Sequence, residues 1–570
     1  MSEEKHPSSL EEYEESLHES ALHDSRLKFI PPLPPALQNM SELTIQPTDE
    51  DMSTAEPGLS FSLKRLFPQT HGQKMVKFAS ESGRSQNKPL VVGVVLSGGQ
   101  APGGHNVIAG LFDAVKKLHP KSELIGFRNG PGGLVENKYT RITEGLINRY
   151  RNTGGFDMIG SGRTKIENLK QFQATAATVE ALDLDGLVII GGDDSNTNAA
   201  LIAEYFKQNN MKCKCVGVPK TIDGDLSNEF IEISFGYDSC CKVYSNEIGN
   251  IARDARSAGK YWFFLKMMGR SASHITLECA LQSRPNVALI SEEVLEQRKT
   301  LVDITKDIAD VVCKRATLHK HYGVVIIPEG LIEFIPEFQV LIQDLNRALA
   351  TQLTQTVLAA LKKDELKIDY IESVLSGASR ECYAGLPIEI QIQLILDRDP
   401  HGNVSVSQIE TERLIGEMVA TELRKRAKEG TYSGKLDPRY HFCGYQGRAV
   451  FPSNFDAKYC YALGHVAVGL LRDNCTGYIA CVRHLAKATS EWEPCGLPLT
   501  ALMNIEERHG APKPVIKKAL VDLSGQKFQI FKEQRNRWAV QDAYRYTGPM
   551  QFFGPEDITE DTNFHVRAFL

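Results

Sequence analysis

The apolar run Leu187-Val188-Ile189-Ile190 passes at once into Gly191-Gly192-Asp193-Asp194-Ser195-Asn196-Thr197 and then into Ala199-Ala200-Leu201-Ile202-Ala203. This succession constrains the fold more than any other stretch, because it reads as a buried parallel strand, a glycine turn and a helix. Two glycines let backbone N–H groups approach an anion, and Ser195 and Asn196 are residue types that cap helices, so turn and helix N-terminus form a phosphate cradle. Two adjacent carboxylates in such a cradle repel phosphate unless a cation lies between them. At least one of Asp193 and Asp194 is therefore expected to face Mg2+, which takes oxygen ligands from carboxylates and from substrate phosphates.

The same unit recurs along the chain. Leu90-Val91-Val92-Gly93-Val94-Val95-Leu96 runs into Ser97-Gly98-Gly99-Gln100-Ala101-Pro102-Gly103-Gly104-His105-Asn106, with a helix expected from Val107 to Leu118. Neither the dinucleotide G-x-G-x-x-G nor the P-loop spacing is met, and alone this stretch fits a plain tight turn as well as a ligand site. His105 reads as a cap or a packed imidazole in preference to a base. Gly126-Phe127-Arg128-Asn129-Gly130-Pro131-Gly132-Gly133-Leu134 and Ile159-Gly160-Ser161-Gly162-Arg163 follow. Strands that end in glycine-rich turns, with helices between, predict an α/β, doubly wound sheet with ligands at the carboxyl ends of its strands.

After a helix from Asn198 to Gln208, the strand Cys215-Val216-Gly217-Val218 emerges as Pro219-Lys220-Thr221-Ile222-Asp223-Gly224-Asp225-Leu226. In an extended segment the two carboxylates, at alternate positions, share one side. One suits a general base and the other a metal or water, while Lys220 offers a point charge to phosphate. An Asp-Gly turn with solvated charges is the other reading of these residues alone; the 191–197 turn one strand away favours function. A helix from Tyr237 to Ala258 leads to Gly259-Lys260-Tyr261-Trp262-Phe263-Phe264-Leu265-Lys266-Met267-Met268-Gly269-Arg270-Ser271-Ala272-Ser273-His274, a strand-like aromatic and aliphatic run that feeds a Gly-containing turn and a helix. Val324-Val325-Ile326-Ile327-Pro328-Glu329 is again a buried strand with a charged end, where Glu329 fits equally a helix N-terminal acid.

At 570 residues the chain exceeds one core, so two or more lobes are expected. A net charge of -6 leaves no basic footprint for nucleic acid. No apolar run reaches the length of a membrane span, and the start Met1-Ser2-Glu3-Glu4-Lys5 lacks a secretory apolar region, so a cytoplasmic setting is expected. The twelve cysteines are scattered; Cys213 with Cys215 and Cys240 with Cys241 lack a second pair at zinc spacing and read as reduced thiols. Residues 1–88 read as an acidic extension that wraps or pairs, turn-rich around Pro31-Pro32-Leu33-Pro34-Pro35. Helical periodicity dominates 336–435, as in Thr411 to Lys428, and predicts an inserted helical cap whose acids form a solvated face. Beyond Trp492 no motif is found.

From about Val91 to Val294, and again near Glu329 and Tyr445, the chain resembles the phosphofructokinase family, in its long-form pyrophosphate-dependent branch. The resemblance implies two doubly wound Rossmann-like lobes with a helical insertion and an N-terminal extension. The expected divisions are an extension over 1–88, a donor and Mg2+ lobe over 89–240 completed by about 456–510, and a sugar-phosphate lobe over 241–335 completed by about 436–455. The insertion then covers 336–435 and a C-terminal segment 511–570. It further implies Mg2+-dependent, reversible phosphoryl transfer from diphosphate to the C1 hydroxyl of fructose 6-phosphate, by a homodimer or higher homo-oligomer.

Residue by residue, the resemblance implies that the Gly99 turn touches the phosphoryl donor, that Asp193 helps hold Mg2+, and that Asp223 takes the proton from the C1 hydroxyl. Thr221, Ile222 and Asp225 belong to the same substrate segment. Met268, Gly269 and Arg270 contact the sugar phosphate, Arg270 also steadying the transferred group, and Glu329 accepts from sugar hydroxyls. Tyr445, Gln446, Gly447 and Arg448 resemble a sugar-phosphate loop, in which many relatives carry Glu at the place of Gln446. Lys260 and Tyr261 match positions that can be shared across a subunit boundary. ATP-dependent bacterial members usually carry Gly where this chain has Asp194 and Lys220. A carboxylate at 194 repels the α-phosphate of a nucleotide, while an ammonium at 220 neutralises the leaving phosphate, so the pair selects diphosphate. An ATP-dependent phosphofructokinase and a non-catalytic regulatory subunit are the alternatives; the second should have lost these charged groups.

Overall fold

The computed structural model describes residues 21–50, 57–80, 88–397, 404, 408–508 and 511–547. The acidic start of the chain and the polar tail past 547 lie outside the described residues. In chain order the strands are β1 (Leu43–Pro47), β2 (Val76–Ser80), β3 (Val91–Leu96), β4 (Glu123–Phe127), β5 (Tyr139–Arg141), β6 (Gly186–Gly191) and β7 (Lys214–Pro219). They continue with β8 (Lys260–Met267), β9 (Val287–Ala288), β10 (His321–Pro328), β11 (Pro438–Cys443), β12 (Tyr478–Arg483), β13 (Glu493–Pro498), β14 (Met503–Arg508) and β15 (Ala511–Ile516).

One lobe is built on a nine-stranded sheet in the order β1-β2-β13-β12-β7-β6-β3-β4-β5. Its middle, from β12 to β4, is parallel. Strands covered on both faces must be apolar throughout. All six residues of β6 are buried, as are five of six in β3 and in β7. Each buried Val, Leu or Ile there contributes about 1.5–3 kcal/mol. The N-terminal extension pairs into this sheet, β1 on β2 and β2 on β13, all antiparallel. From β3 the chain steps to β4 on one side and later to β6 on the other. The winding therefore reverses between β3 and β6, which is where open α/β sheets leave a crevice for ligands.

The second lobe is a four-stranded parallel sheet, β11-β8-β10-β9. Helix α1 (Gly104–Leu118) follows β3, α2 (Asp193–Gln208) follows β6, and α3 (Tyr237–Ala258) carries the chain from the large sheet to the small one. Helix α4 (Asn454–Arg472) returns to pack on α1 and leads into β12. Between Pro336–Leu349 and Thr411–Lys428 the described insertion is helical, and Phe338, Leu341, Ile371, Leu394 and Leu414 share a core with Trp262, Phe264, Val325 and Ile327 of the small sheet. The expected cap thus lies over that sheet. Helix α5 (Gln526–Val540) follows the β14–β15 hairpin. Among the described residues no helix is long and apolar enough to cross a membrane.

The last described stretch is anchored by charge. Arg315, fully buried, donates to Tyr322 O at 3.0 Å, Val540 O at 3.2 Å and Asp542 Oδ1 at 2.9 Å. Asp542 also accepts from the Tyr322 hydroxyl at 2.8 Å and lies 3.0 Å from Lys320 Nζ. Burial pushes its carboxyl up, but the hydrogen bonds from Lys320, Tyr322 and Arg315 outweigh it and hold it below the ordinary range. A depressed carboxyl stabilises the fold above its unfolded value and loses that contribution as pH falls through the folded one. Asp542→Ala leaves a guanidinium buried and unpaired, so denaturant unfolding should show a loss of about 3–5 kcal/mol near neutral pH.

Candidate active site

Most side chains of the crevice stand just past the carboxyl end of a strand. After β3, Gly98 N donates to Gly162 O at 2.9 Å and Ser161 Oγ donates to Gly98 O at 2.7 Å, which fixes the turn. After β6, Gly192 caps α2, so Asp193 and Asp194 occupy its first turn, where the helix dipole favours negative charge. Ser195 and Asn196 are therefore inside the helix and do not cap it. Ser195 Oγ donates to Ser97 Oγ at 2.8 Å, tying β6 to the β3 turn, and Asn196 Nδ2 donates to Gly191 O at 2.6 Å. His105 is a packed imidazole: it is fully buried, pairs with Thr153 Oγ1 at 2.8 Å, and burial lowers its pKa to about 3.

At the end of β7, Lys220 N donates to Gly191 O at 2.9 Å, and the buried side chain donates from Nζ to Gly99 O. Burial lowers the pKa of this ammonium to about 8; Asp223 opposes the shift, and Arg448 and Arg163 add to it. Both guanidinium groups surround the same turn, since a Cβ built on Gly99 would stand 3.8 Å from Arg163 Nη2 and from Arg448 Cζ. Three cations thus gather at Gly99, an arrangement that can bind an oxyanion.

The segment carrying Asp223 and Asp225 is bent, contrary to the extended course that its alternation suggests, because Gly224 takes φ +74 against Tyr237 and His274. The carboxylates stay neighbours through Thr221, whose Oγ1 accepts from Asp223 N at 3.0 Å and donates to Asp225 Oδ1 at 3.3 Å. Burial first and Glu329 second raise the pKa of Asp223, while Arg448, Lys518 and Lys220 pull it down. Asp225 is pushed up to about 6 by burial and by Asp223, against Lys518.

The small sheet closes the other side. Glu329 follows β10, with its N–H donating to Met267 O at 2.8 Å; burial raises its carboxyl, opposed by Lys266, Arg448, Arg270 and the Gly269 N–H. Arg448, which lies at the Gly99 turn, therefore acts on Asp223 and on Glu329 alike. Ile222 and Met268 turn their side chains into the core, so only their backbones face the crevice. Gln446 is held by Glu247, donating at 3.1 and 3.2 Å, and accepts from Gly444 N at 3.1 Å. Tyr445 is exposed, and the Arg448 guanidinium lies 5.2 Å from its ring centre. Lys260 and Tyr261 start β8 and so lie about 23 Å of strand away from Met268, outside this crevice. There Tyr261 has φ +77, with Lys260 Nζ 4.8 Å and Arg439 Cζ 4.6 Å from its ring. Asp194 is half-exposed, 3.4 Å from Lys165 Nζ.

Arg163, Glu333 and Lys518 enter the crevice without having been expected there. Arg163 had a signal, its place after the Gly160–Gly162 turn. Glu333, raised by burial and lowered by Arg270 and Lys518, lies in the turn that Glu329 opens. Lys518 had none. Its Nζ donates to Ser271 Oγ at 2.9 Å and lies 3.6 Å from Asp193 Oδ2 and 3.7 Å from Asp225 Oδ2. Two carboxylate oxygens facing one positive charge make an all-oxygen donor pair, which suits a hard divalent cation. A different candidate metal group, Glu247, His441 and Cys443, has its ligand atoms within 4.8 Å of one another, but its oxygen, nitrogen and sulfur donors suit a softer ion.

The crevice is that of a phosphoryl-transfer enzyme on a two-sheet α/β frame, and comparison with known proteins narrows it. The phosphofructokinase family model matches residues 91–471, and the chain belongs to that family. Within it the chain falls in the pyrophosphate-dependent, long-form branch. It is 49% identical over 557 residues to the pyrophosphate–fructose 6-phosphate 1-phosphotransferase of Treponema pallidum, covering 96% of each chain. It is also 49% identical to subunit beta of the Solanum tuberosum enzyme of that name, over 94% of this chain and 92% of the relative. The crystal structure of a pyrophosphate-dependent phosphofructokinase from Nitrosospira multiformis shares the fold, with a TM-score of 0.52 and 17% identity over 80% of this chain and 93% of that one.

The gathering of cations at Gly99 has a pH signature. Sulfate keeps a constant charge across neutral and mildly alkaline pH, so its binding, followed by calorimetry, should weaken as pH rises through about 8 and the Lys220 ammonium is lost. Lys220→Arg, which stays charged, should abolish that dependence.

Proposed function

We infer that this protein is a pyrophosphate-dependent 6-phosphofructokinase. It transfers a phosphoryl group from diphosphate to the C1 hydroxyl of fructose 6-phosphate, giving fructose 1,6-bisphosphate and phosphate. The observation that carries the reading is the gathering of Lys220, Arg163 and Arg448 at the Gly99 turn, with Arg448 and Lys220 also acting on Asp223 and Glu329 opposing them there. In this reading Asp223 accepts the proton of the C1 hydroxyl as the sugar oxygen attacks the terminal phosphorus. The bridging P–O bond breaks, and the electron pair stays on the departing phosphate, whose charge Lys220 and Arg163 meet. Removal of one such charge stabiliser typically costs about 3–4 kcal/mol of barrier. The raised pKa of Asp223 brings the base nearer to working pH, which favours proton transfer.

Arg270 and Arg448 hold phosphoryl and sugar-phosphate oxygens, Arg through its planar fork. Glu329 accepts from sugar hydroxyls, while Thr221, Ile222, Met268, Gly269 and Gly447 shape the pocket through backbone and small groups. Tyr445 and Gln446 edge the same loop. Mg2+, held by Asp193 with Asp225, would supply charge neutralisation on the diphosphate. Asp194 beside it excludes the α-phosphate of a nucleotide. The proposed division of labour is a donor lobe over 89–240, completed by about 456–510, and a sugar-phosphate lobe over 241–335, completed by about 436–455. Lys260 and Tyr261, stacked with Arg439 at the far end of β8, are assigned to the site of a partner subunit in a homodimer or higher homo-oligomer. All twelve cysteines are free, which fits a reducing, cytoplasmic setting.

Purified protein should phosphorylate fructose 6-phosphate with diphosphate and Mg2+; turnover with ATP and none with diphosphate would overturn the reading. Asp223→Ser should lower kcat by orders of magnitude while leaving the KM for fructose 6-phosphate within a few-fold. Wild-type turnover in that variant would remove Asp223 as the base.

A further inference from the structure

The β14–β15 hairpin and the residues after it belong to none of the strand ends that build the crevice, yet they deliver a cation into its centre. Ile516 N donates to Thr197 Oγ1 at 3.1 Å, which seats the hairpin on α2. Ala519 N donates to Asp225 O at 2.7 Å, and Ala519 O pairs with His274 Nε2 at 2.9 Å. Lys518, held between these anchors, has little freedom except in its own side chain. An ammonium has three donors. One goes to Ser271 Oγ at 2.9 Å, and the carboxylates of Asp193 and Asp225, at 3.6 and 3.7 Å, lie beyond hydrogen-bond distance. The charge is thus placed by electrostatics, next to the residues assigned to the donor and one position from Arg270.

We propose that Lys518 is a further diphosphate-binding residue, which in the substrate-free protein screens the Asp193–Asp225 pair and passes its ammonium to phosphate oxygens when a divalent cation takes those carboxylates. The proposal rests on the donor-site reading given above. Two positive charges compete for the same two oxygens, Asp193 Oδ2 and Asp225 Oδ2. Once one of them is a divalent ion, an ammonium about 4 Å away is repelled and a phosphate oxygen is its best remaining partner. Carboxylates at this spot would repel a free diphosphate; the lysine keeps them screened until the metal comes. Ser271 sets the side from which it can reach the phosphate, because it follows Arg270 in the turn after β8.

The test uses full-length Lys518→Met and Lys518→Arg, with two readings that move in opposite directions. Mn2+ binding without substrates, followed by electron paramagnetic resonance, should be several-fold tighter in Lys518→Met, because the competing ammonium is gone. The KM for diphosphate should rise about tenfold or more, as expected for a lost charge-assisted hydrogen bond, while the KM for fructose 6-phosphate stays within about twofold. Lys518→Arg should restore most of the diphosphate KM. A residue that only braces the fold would weaken both ligands together, so Mn2+ affinity that is unchanged or weaker overturns the proposal, as does an unaltered diphosphate KM. Lys518→Gln, which keeps polarity without charge, repeats both readings if Lys518→Met does not fold. Wild-type protein that fails to use diphosphate would overturn the proposed function instead, and the Mn2+ reading would then decide the present proposal alone.

Discussion

The crevice depends on one buried charge. Lys220 reaches from the end of β7 to the Gly99 carbonyl after β3 through its ammonium, and its N–H donates to Gly191 O at the end of β6, so one residue joins three neighbouring strand ends. A buried ammonium is costly unless it is paired and hydrogen-bonded. Here a carbonyl takes one of its donors, Asp223 and Asp193 supply opposite charge, and the depressed pKa is the residual cost. The parallel middle of the large sheet makes this arrangement possible, because β12, β7, β6, β3 and β4 bring their carboxyl ends to one edge at a spacing of about 4.8 Å. An antiparallel neighbour would have sent Lys220 to the opposite edge.

Around that charge, groups of one sign do not gather on one side. Lys220, Arg163 and Arg448 gather at Gly99, whereas Asp193, Asp223, Asp225 and Glu329 face them with Lys518 among the acids. Such interleaving decides which states are accessible. Glu329 makes Asp223 harder to ionise and Arg448 makes it easier, so this carboxyl, the proposed base, is tuned by side chains from the other sheet. The charge state of Asp223 is therefore set by the two lobes together. The interleaving also explains why the net acidity of the chain does not prevent phosphate binding: the cations that matter are few and placed.

Much of this was legible in the sequence because parallel strands buried on both faces are written as unbroken apolar runs, and turns that approach ligands are written in glycine. Val91–Leu96, Gly186–Gly191 and Lys214–Pro219 follow from that rule, and so does the clustering of Gly99, Asp193 and Lys220 at one edge. Details that depend on dihedral choice were not legible. Ser195 and Asn196 are good caps by type, yet Gly192 takes that place, since placing Asp193 in the first turn leaves the hydroxyl of Ser195 free to reach Ser97. Alternation put Asp223 and Asp225 on one side of a strand; a left-handed Gly224 bends the segment, and Thr221 brings them together by another route. Lys518 was invisible for a different reason. Its neighbours Lys517 and Ala519 carry no pattern, and its partners Asp193, Asp225 and Ser271 lie some hundreds of residues earlier in the chain.

The same segment bears on how the lobes are held. Within a few residues it bonds to Asp225 of the large-sheet side and to Ser271 and His274 of the small-sheet side, and Val521 N donates at 3.0 Å to Glu292 Oε1, which also accepts from Ser273 N. Each such bond is worth only about 1 kcal/mol net. Their value lies in position, because some tie the segment to Asp225 and the others to Ser271, His274 and Glu292, so that one short stretch is bonded to both sides. Moving the two sides apart would have to break bonds on one side of the segment or the other. A fold whose two parallel sheets only present strand ends to each other leaves their separation loosely determined; the crossing segment supplies the missing constraint and carries a cation with it.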